Sequence, residues 1–184
     1  QTGLVERASS RRLIVSTPSK GQLAAGMSRA LTMHQVTFME LWGAMITVEP
    51  AIAEAAATNI SPDDLAQLET NLEEARDVVA NAKRSIELDE QFHEVIGDAS
   101  GNRVLQLARE PINLMFNPAV SKVMTQLSQA TARNLEAHEH ILAALKQRDP
   151  GETRRWMQKH IDDLKRGYEH AGFDLHGPVQ VSRA

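Results

Sequence analysis

Four side chains able to bind metals or transfer protons fall on faces of predicted helices that are otherwise apolar. Asp89 and His93 stand one helical turn apart on a face shared with isoleucine and phenylalanine. His138 lies in a leucine stripe on a later helix, and His160 lies in the apolar stripe of the last helix. A bundle that buries these faces would bring one carboxylate and three imidazoles into its interior.

Two kinds of chemistry could satisfy these buried groups. Asp89 and His93 alone could form an i,i+4 pair or a hydrogen bond in the core, which is the ordinary role of this spacing. An unpaired buried carboxylate or protonated imidazole costs several kcal/mol. Joint binding of one divalent cation is therefore the second possibility. Because the sequence has no cysteine, His, Asp and Glu are its only strong metal ligands.

The elements that position these residues are predicted to be helical. Beyond about Gly21, Gly and Pro are sparse and apolar residues recur every three or four positions. Ser61-Pro62-Asp63-Asp64 and Asp149-Pro150-Gly151-Glu152 are typical helix starts, each with a capping side chain before a proline. This pattern predicts an all-α chain, an antiparallel bundle of six or seven helices with short connections.

Three further expectations concern less regular parts of the chain. Short apolar runs at 3–5 and 13–15, separated by polar residues, predict a small β-hairpin before the helices. Pro118 is expected to begin a long helix that reaches Arg148. The residues after Gly172 are expected to form a loose tail.

Composition limits the class of protein. The chain of 184 residues has 20 Lys and Arg against 24 Asp and Glu, a net charge of −4, so any DNA contact has to be local. No apolar run reaches the roughly 18 residues of a membrane helix. The first twelve residues lack the apolar segment of a secretory signal. We therefore expect one main domain in a cytoplasmic protein without membrane contact.

The segment around the acid and imidazole pair resembles a known family signature. Asp89-Glu90-Gln91-Phe92-His93-Glu94-Val95-Ile96, followed by Ala99-Ser100-Gly101-Asn102, is similar to the D-x2-FH-x2-I…A-T/S-G-N motif. That motif is typical of FadR-type C-terminal domains, abbreviated FCD, of GntR-type transcription regulators. It is the most specific point of resemblance in the sequence.

Two other segments resemble the same family. The segment from His138 to Leu145, with His160 after it, is similar to the family's H-x2-I-L-x-A-L…M-x2-H ending, and its spacing selects His138 over His140. The segment from Glu40 to Pro50 is similar to the family's E-L-x-x-R-x2-L-E-P helix. Trp42 or a near neighbour replaces the arginine of that pattern.

The resemblance implies a metal site. In the metal-binding members, one Asp and three His bind a divalent ion inside the bundle, and Asp89, His93, His138 and His160 match those positions. Three imidazoles and one carboxylate suit zinc best, with nickel or manganese as alternatives.

The resemblance also implies an effector-sensing domain rather than an enzyme. Binding of a divalent metal and a small carboxylate effector would change the arrangement of a homodimer and so modulate DNA binding. Trp42 and Asn102 are predicted effector contacts, although a turn asparagine more often serves backbone geometry. No catalytic residue is predicted. The alternatives are a metal-dependent hydrolase or isomerase on a helical bundle, and a plain structural bundle that binds no ion.

The resemblance divides the chain into three parts. Residues 1–18 are predicted to be a wing and linker remnant of a winged helix-turn-helix domain, 19–172 the FCD-type domain, and 173–184 a C-terminal tail. Arg11 and Arg12 are predicted to contact DNA phosphates or a minor groove. The recognition helices expected before the first residue are absent from the sequence. We therefore expect operator DNA to be bound through an N-terminal domain missing from this chain.

Overall fold

The computed structural model describes residues 5–9 and 12–179. Within these residues a short hairpin precedes seven helices: β1 (Val5–Ser9), β2 (Arg12–Val15), α1 (Lys20–Met33), α2 (Phe38–Asn59), α3 (Pro62–Asp77), α4 (Ala82–Ala99), α5 (Arg103–Gln126), α6 (Ala130–Lys146) and α7 (Pro150–His170). The predicted all-α class with a hairpin before the bundle is confirmed. None of the described helices has the length and apolar character needed to cross a membrane.

Polar caps explain where several helices begin. Ser19, Thr37 and Ser61 each form a capping box, in which the cap side chain and the third helical residue exchange hydrogen bonds with each other's backbone N–H. The Asp149 side chain accepts a hydrogen bond from the first turn of α7. These caps fix the residue at which each helix begins. The connections between the helices are only a few residues long.

Helix α2 lies at the centre of the bundle, where it packs against α4, α5, α6 and α7. At its first residue, the Phe38 ring stacks between Phe116 of α5 and Tyr168 of α7, with ring centroids 5.3 and 4.1 Å away. Ile52, with no exposed surface, extends this core toward the other end of α2. The apolar residues of α2 therefore hold the helices that carry the histidines and the acid.

Helix α5 differs from the prediction. Pro118 lies inside α5, so the expectation that it begins a helix reaching Arg148 is wrong, and the chain breaks instead between α5 and α6. Proline removes one backbone hydrogen bond and bends a helix, but it does not end the helix where the neighbouring turns are held by packing. Phe116 and Ala119, on either side of Pro118, are buried in the core.

The segment after α7 returns to the beginning of α2. The backbone N–H of Met39 donates to the carbonyl of Leu175 at 3.1 Å, and the N–H of Val179 donates to the carbonyl of Val36 at 2.9 Å. The expectation of a loose tail after Gly172 is therefore wrong as far as residue 179. Both hydrogen bonds join residues far apart in the chain, so the local sequence carries no sign of them.

In the described part of the chain, the two strands of the hairpin pack against each other and not against the helices of the bundle. β1 and β2 pair antiparallel with a register shift between Arg7 and Ser9, and in the described residues neither strand contacts a helix. The apolar side chains Leu13 and Val15 are 63% and 89% exposed. Of the two predicted DNA contacts, Arg12 is exposed on β2, whereas Arg11 lies outside the described residues.

Candidate metal centre and adjoining cavity

The four predicted metal ligands lie together inside the bundle. Asp89 and His93 come from α4, His138 from α6 and His160 from α7, and all four are buried. The ligand atoms that they offer all lie within 4.8 Å of one another. Two ligand atoms on opposite sides of one ion, each bound at about 2.1 Å, would be about 4.2 Å apart. The cluster is therefore compact enough for a single ion after small side-chain adjustments.

The nitrogen and oxygen atoms of the cluster face a common centre. The Nε2 of His93 lies 3.1 Å from the Nε2 of His160 and 3.9 Å from an oxygen of Asp89. The Nε2 of His138 lies 3.4 Å from the same Asp89 oxygen, yet it is buried and has no hydrogen-bond partner among the described residues. Buried polar atoms without a partner are rare because they cost free energy. Of the four such side-chain atoms in the described residues, this nitrogen is the one that lies in the cluster, where an ion could bind it.

Burial determines the protonation of the cluster. It lowers the pKa of His160 to about 3 and the pKa of His138 well below its ordinary value, and the neighbouring imidazoles act in the same direction. At neutral pH both rings are therefore neutral and keep a lone pair for a cation. Burial raises the pKa of Asp89, since its negative charge is poorly solvated there. A divalent cation would supply the missing positive charge.

A buried ion pair behind the cluster orients His93. The Nδ1 of His93 lies 3.3 Å from a carboxylate oxygen of Glu49, and the Arg109 Nε donates to the other oxygen at 2.5 Å. Burial alone would raise the pKa of Glu49, but Arg109 and His93 together lower it to about 2. Glu49 is thus ionised and can accept a proton from the Nδ1 of His93. In the tautomer that donates from Nδ1 to Glu49, the Nε2 lone pair of His93 is directed at the cluster.

The Asp89 carboxylate of the cluster is also held by a neighbouring side chain. The Asn134 side-chain amide on α6 donates to the Asp89 oxygen at 3.0 Å. Sequence reasoning did not identify Glu49, Arg109 or Asn134 as parts of the site. A visible signal existed for Glu49, because it is a charged residue followed by proline in an apolar stretch of α2. The arginine and the asparagine had no comparable local sign.

A cavity of about 320 Å³ adjoins the cluster. Asp89, His93 and His160 lie on its wall, so one side of the cluster is open to the cavity. The wall is otherwise mixed: side chains of α5 make much of it apolar, while Arg133 of α6 and Asp163 of α7 add charge. A volume of this size is in the range of small-molecule sites in proteins.

The two predicted effector contacts lie elsewhere in the described structure. Trp42 packs under Lys165, whose Nζ lies 4.1 Å from the ring centroid, and it is not among the described residues on the cavity wall. Asn102 caps α5 by accepting hydrogen bonds from two first-turn N–H groups, and it is also away from that wall. The α2 residue on the wall is Met45. A role of Trp42 or Asn102 in effector binding stays a prediction.

Comparison with known proteins shows what this arrangement resembles. Residues 40–163 match the family model of the FCD domain. The chain is 24% identical over 168 residues to the HTH-type transcriptional repressor NanR of Cronobacter sakazakii, covering 88% of this chain and 64% of that protein. It is 31% identical over 129 residues to the Exu regulon transcriptional regulator of Escherichia coli K12, covering 68% of this chain and 49% of that protein. The chain thus spans less than two thirds of the length of these relatives.

Two solved structures share the fold. Streptococcus agalactiae GntR superposes with a TM-score of 0.62 at 24% identity, over 90% of this chain and 75% of that one. Escherichia coli McbR/YncC superposes with a TM-score of 0.59 at 18% identity, over 92% of this chain and 79% of that one. At these identities the likeness concerns the fold alone, and it extends over most of the chain.

Proposed function

This chain belongs to the FCD-domain family, and on that basis we propose that it is the effector-sensing domain of a GntR-type transcription regulator. The relatives that it matches are named as regulators of transcription. They confirm the family resemblance and the prediction that the chain is not an enzyme. The alternative of a metal-dependent hydrolase or isomerase is not favoured.

We propose that Asp89, His93, His138 and His160 bind a divalent metal, with zinc first and nickel or manganese as alternatives. The observation that carries this proposal is the convergence of four buried ligand atoms from three helices. Three imidazole nitrogens and one carboxylate oxygen suit these metals. In a plain bundle without an ion, the buried Nε2 of His138 would be left without a partner among the described residues.

The effector proposed for the cavity is a small organic acid. Because the cluster opens to the cavity on one side, a carboxylate entering from the cavity can complete the coordination of the ion. Occupancy of the cavity would favour one packing of the helices that line it, which is how a ligand shifts a conformational equilibrium.

We propose that operator DNA is bound by a domain on the N-terminal side of this chain. A winged helix-turn-helix domain preceding residue 1 would supply sequence recognition, and residues 1–18 would be its wing and linker. Arg12, exposed on β2, and Arg11 would contact phosphates or a minor groove. Residues 19–172 would form the sensing domain and 173–184 its C-terminal segment. A cytoplasmic location, where operator DNA is accessible, is part of the same proposal.

The proposed function is tested by measuring whether the binding of small carboxylates depends on the metal. Protein stripped with a chelator and then reloaded with zinc should bind members of a panel of small carboxylates, measured by calorimetry and thermal shift. The stripped protein should bind them at least about tenfold more weakly, a loss of about 1.4 kcal/mol or more. If neither zinc nor nickel raises the melting temperature, the metal proposal is wrong. Turnover of a bound acid that depends on His160 would contradict the sensor proposal.

A homodimer is proposed through an exposed apolar surface on α1 and α5. The two helices pack against each other, and Leu23 and Met27 on α1 are 44% and 56% exposed, with Leu107 and Leu114 of α5 both at 43%. Large apolar side chains left open to water on two neighbouring helices are typical of interaction sites. A second copy of the chain would remove them from water.

Introducing charge on this surface should separate the dimer. The double variant Met27→Glu and Leu107→Glu should be monomeric by light scattering at concentrations where the unmodified chain is dimeric, because carboxylates cannot be buried there without partners. Thr70→Glu, on the exposed face of α3, is the matched control and should remain dimeric. A monomeric unmodified chain, or an unchanged mass in the double variant, would rule out this interface.

A further inference from the structure

The cavity beside the cluster has one fixed positive charge of its own. In the described part of the chain, Arg133 is the only lysine or arginine on the cavity wall. Its side chain is 53% exposed, so the guanidinium is accessible to a solute. The α2 residue on the wall, Met45, is uncharged. An anion inside the cavity would therefore meet positive charge in two places, the proposed metal and Arg133.

Arg133 already holds a carboxylate in this structure. One of its guanidinium nitrogens, Nη2, donates to Asp163 of α7, which is also on the cavity wall. An arginine side chain has further N–H donors in a planar fork that matches both oxygens of a carboxylate. Asp163 thus shows what kind of group this part of the wall accepts.

Releasing Arg133 from Asp163 leaves that carboxylate with a partner. The Nη2 of Arg166, one turn further along α7, donates to the same Asp163 oxygen at 3.1 Å. If a carboxylate of a ligand takes the place of Asp163 at Arg133, Asp163 remains paired with Arg166. No charge on α7 is then left unpaired. Since the pair is partly exposed to solvent, breaking it costs little.

We propose that Arg133 binds a second acidic group of the effector, so that the domain senses dicarboxylates or related acids with two negative groups. One carboxylate would complete the metal coordination and the other would displace Asp163 at Arg133. This inference rests on the proposed function, because it places the first carboxylate at the metal.

The displacement would also connect the cavity to the packing of the helices. The ion pair between Arg133 and Asp163 joins α6 to α7, and an effector that takes Arg133 removes this link. Asn134, the next residue on α6, donates to Asp89 in the cluster. Binding at Arg133 and binding at the metal therefore act on the same turn of α6.

Matched pairs of simple acids test the inference. Zinc-loaded protein is titrated by calorimetry with glutarate against pentanoate, and with adipate against hexanoate. We expect at least one dicarboxylate to bind about tenfold more tightly than the monocarboxylate of the same length. Arg133→Gln should remove this preference by weakening dicarboxylate binding much more than monocarboxylate binding, while Arg133→Lys should retain part of it.

Two more variants separate a direct contact from a structural effect. Asp163→Asn removes the competing carboxylate and should tighten dicarboxylate binding by about two- to fivefold, in the opposite direction to Arg133→Gln. Arg76→Gln removes another exposed arginine that is paired with α6, through Glu139 at 2.8 Å, and should change neither affinity.

The outcomes distinguish this inference from the proposed function. If zinc binds and monocarboxylates bind, but no dicarboxylate is preferred or the preference survives in Arg133→Gln, the role of Arg133 is overturned and the sensor proposal stands. If the unmodified protein binds no metal, both are overturned.

Discussion

Replacing His160 with alanine should abolish most of the thermal stabilisation that zinc gives to this protein. An ion that binds only the folded chain stabilises it in proportion to the logarithm of its affinity. His160 supplies one of four donors and lies 3.1 Å from His93 within the cluster. We expect its loss to weaken zinc binding by at least about 100-fold, or about 2.8 kcal/mol. Differential scanning fluorimetry with and without zinc, and titration against a competing chelator, measure the effect.

His140→Ala is the matched control for this experiment. His140 lies on the same helix as the ligand His138, but its ring stacks on Trp156 with centroids 3.7 Å apart, outside the cluster. The control should show the same zinc shift as the unmodified chain, whereas His138→Ala should behave like His160→Ala. An equal zinc shift in all of these variants would show that the cluster is not the metal site.

Helical periodicity explains why the cluster could be predicted before the fold was known. The face of a helix on which a side chain lies depends only on its spacing from neighbours in the sequence. Asp89, His93, His138 and His160 each stand among apolar residues at helical spacing, so each had to face the core wherever the helices packed. Periodicity alone did not distinguish a metal site from ordinary pairing, and the family resemblance supplied that choice.

The parts that were not predicted depend on contacts between distant segments. Glu49 and Arg109 come from α2 and α5 and meet only after those helices pack. The ion pair of Arg133 with Asp163 likewise joins α6 to α7. A single sequence shows the charge of each residue but not its partner, so an arginine that enters the core looks the same as one on the surface.

Pro118 and Trp42 show a second limit of local reasoning. Proline is a helix breaker on average, but at Pro118 the packing of α5 outweighs the loss of one hydrogen bond. Trp42 lies one turn before Met45, and it packs under Lys165 while Met45 reaches the cavity. The exact wall of a cavity therefore requires the positions of neighbouring helices and cannot be read from the pattern of one helix.

Arg109→Met should destabilise the fold by about 3–5 kcal/mol, because it leaves a buried carboxylate without its main partner. Glu49 has no exposed surface, and Arg109 donates to it at 2.5 Å with 4% of its own side chain exposed. Chemical denaturation with urea measures the free energy of unfolding. The double variant Glu49→Gln with Arg109→Met should recover much of the loss, since no unpaired charge then remains buried.

The pH dependence of stability gives an independent measure of the same pair. The folded pKa of Glu49 is lowered to about 2 from 4.5, so between these values the unfolded chain binds more protons than the folded chain. The contribution of Glu49 to stability is therefore present above about pH 4.5 and is lost as the pH falls toward about 2, on the order of 3 kcal/mol in all. In Arg109→Met this loss of stability on acidification should be largely absent.

An exposed ion pair provides the control that makes the result specific to burial. Arg76 pairs with Glu139 at 2.8 Å, but 51% and 41% of the two side chains are exposed. Arg76→Met should therefore cost less than about 1 kcal/mol. If Arg109→Met costs no more than Arg76→Met, Glu49 does not depend on Arg109 for its charge. The orientation of His93 by Glu49 is tested separately: Glu49→Gln should lower zinc affinity by about 10- to 100-fold, and an unchanged affinity would contradict it.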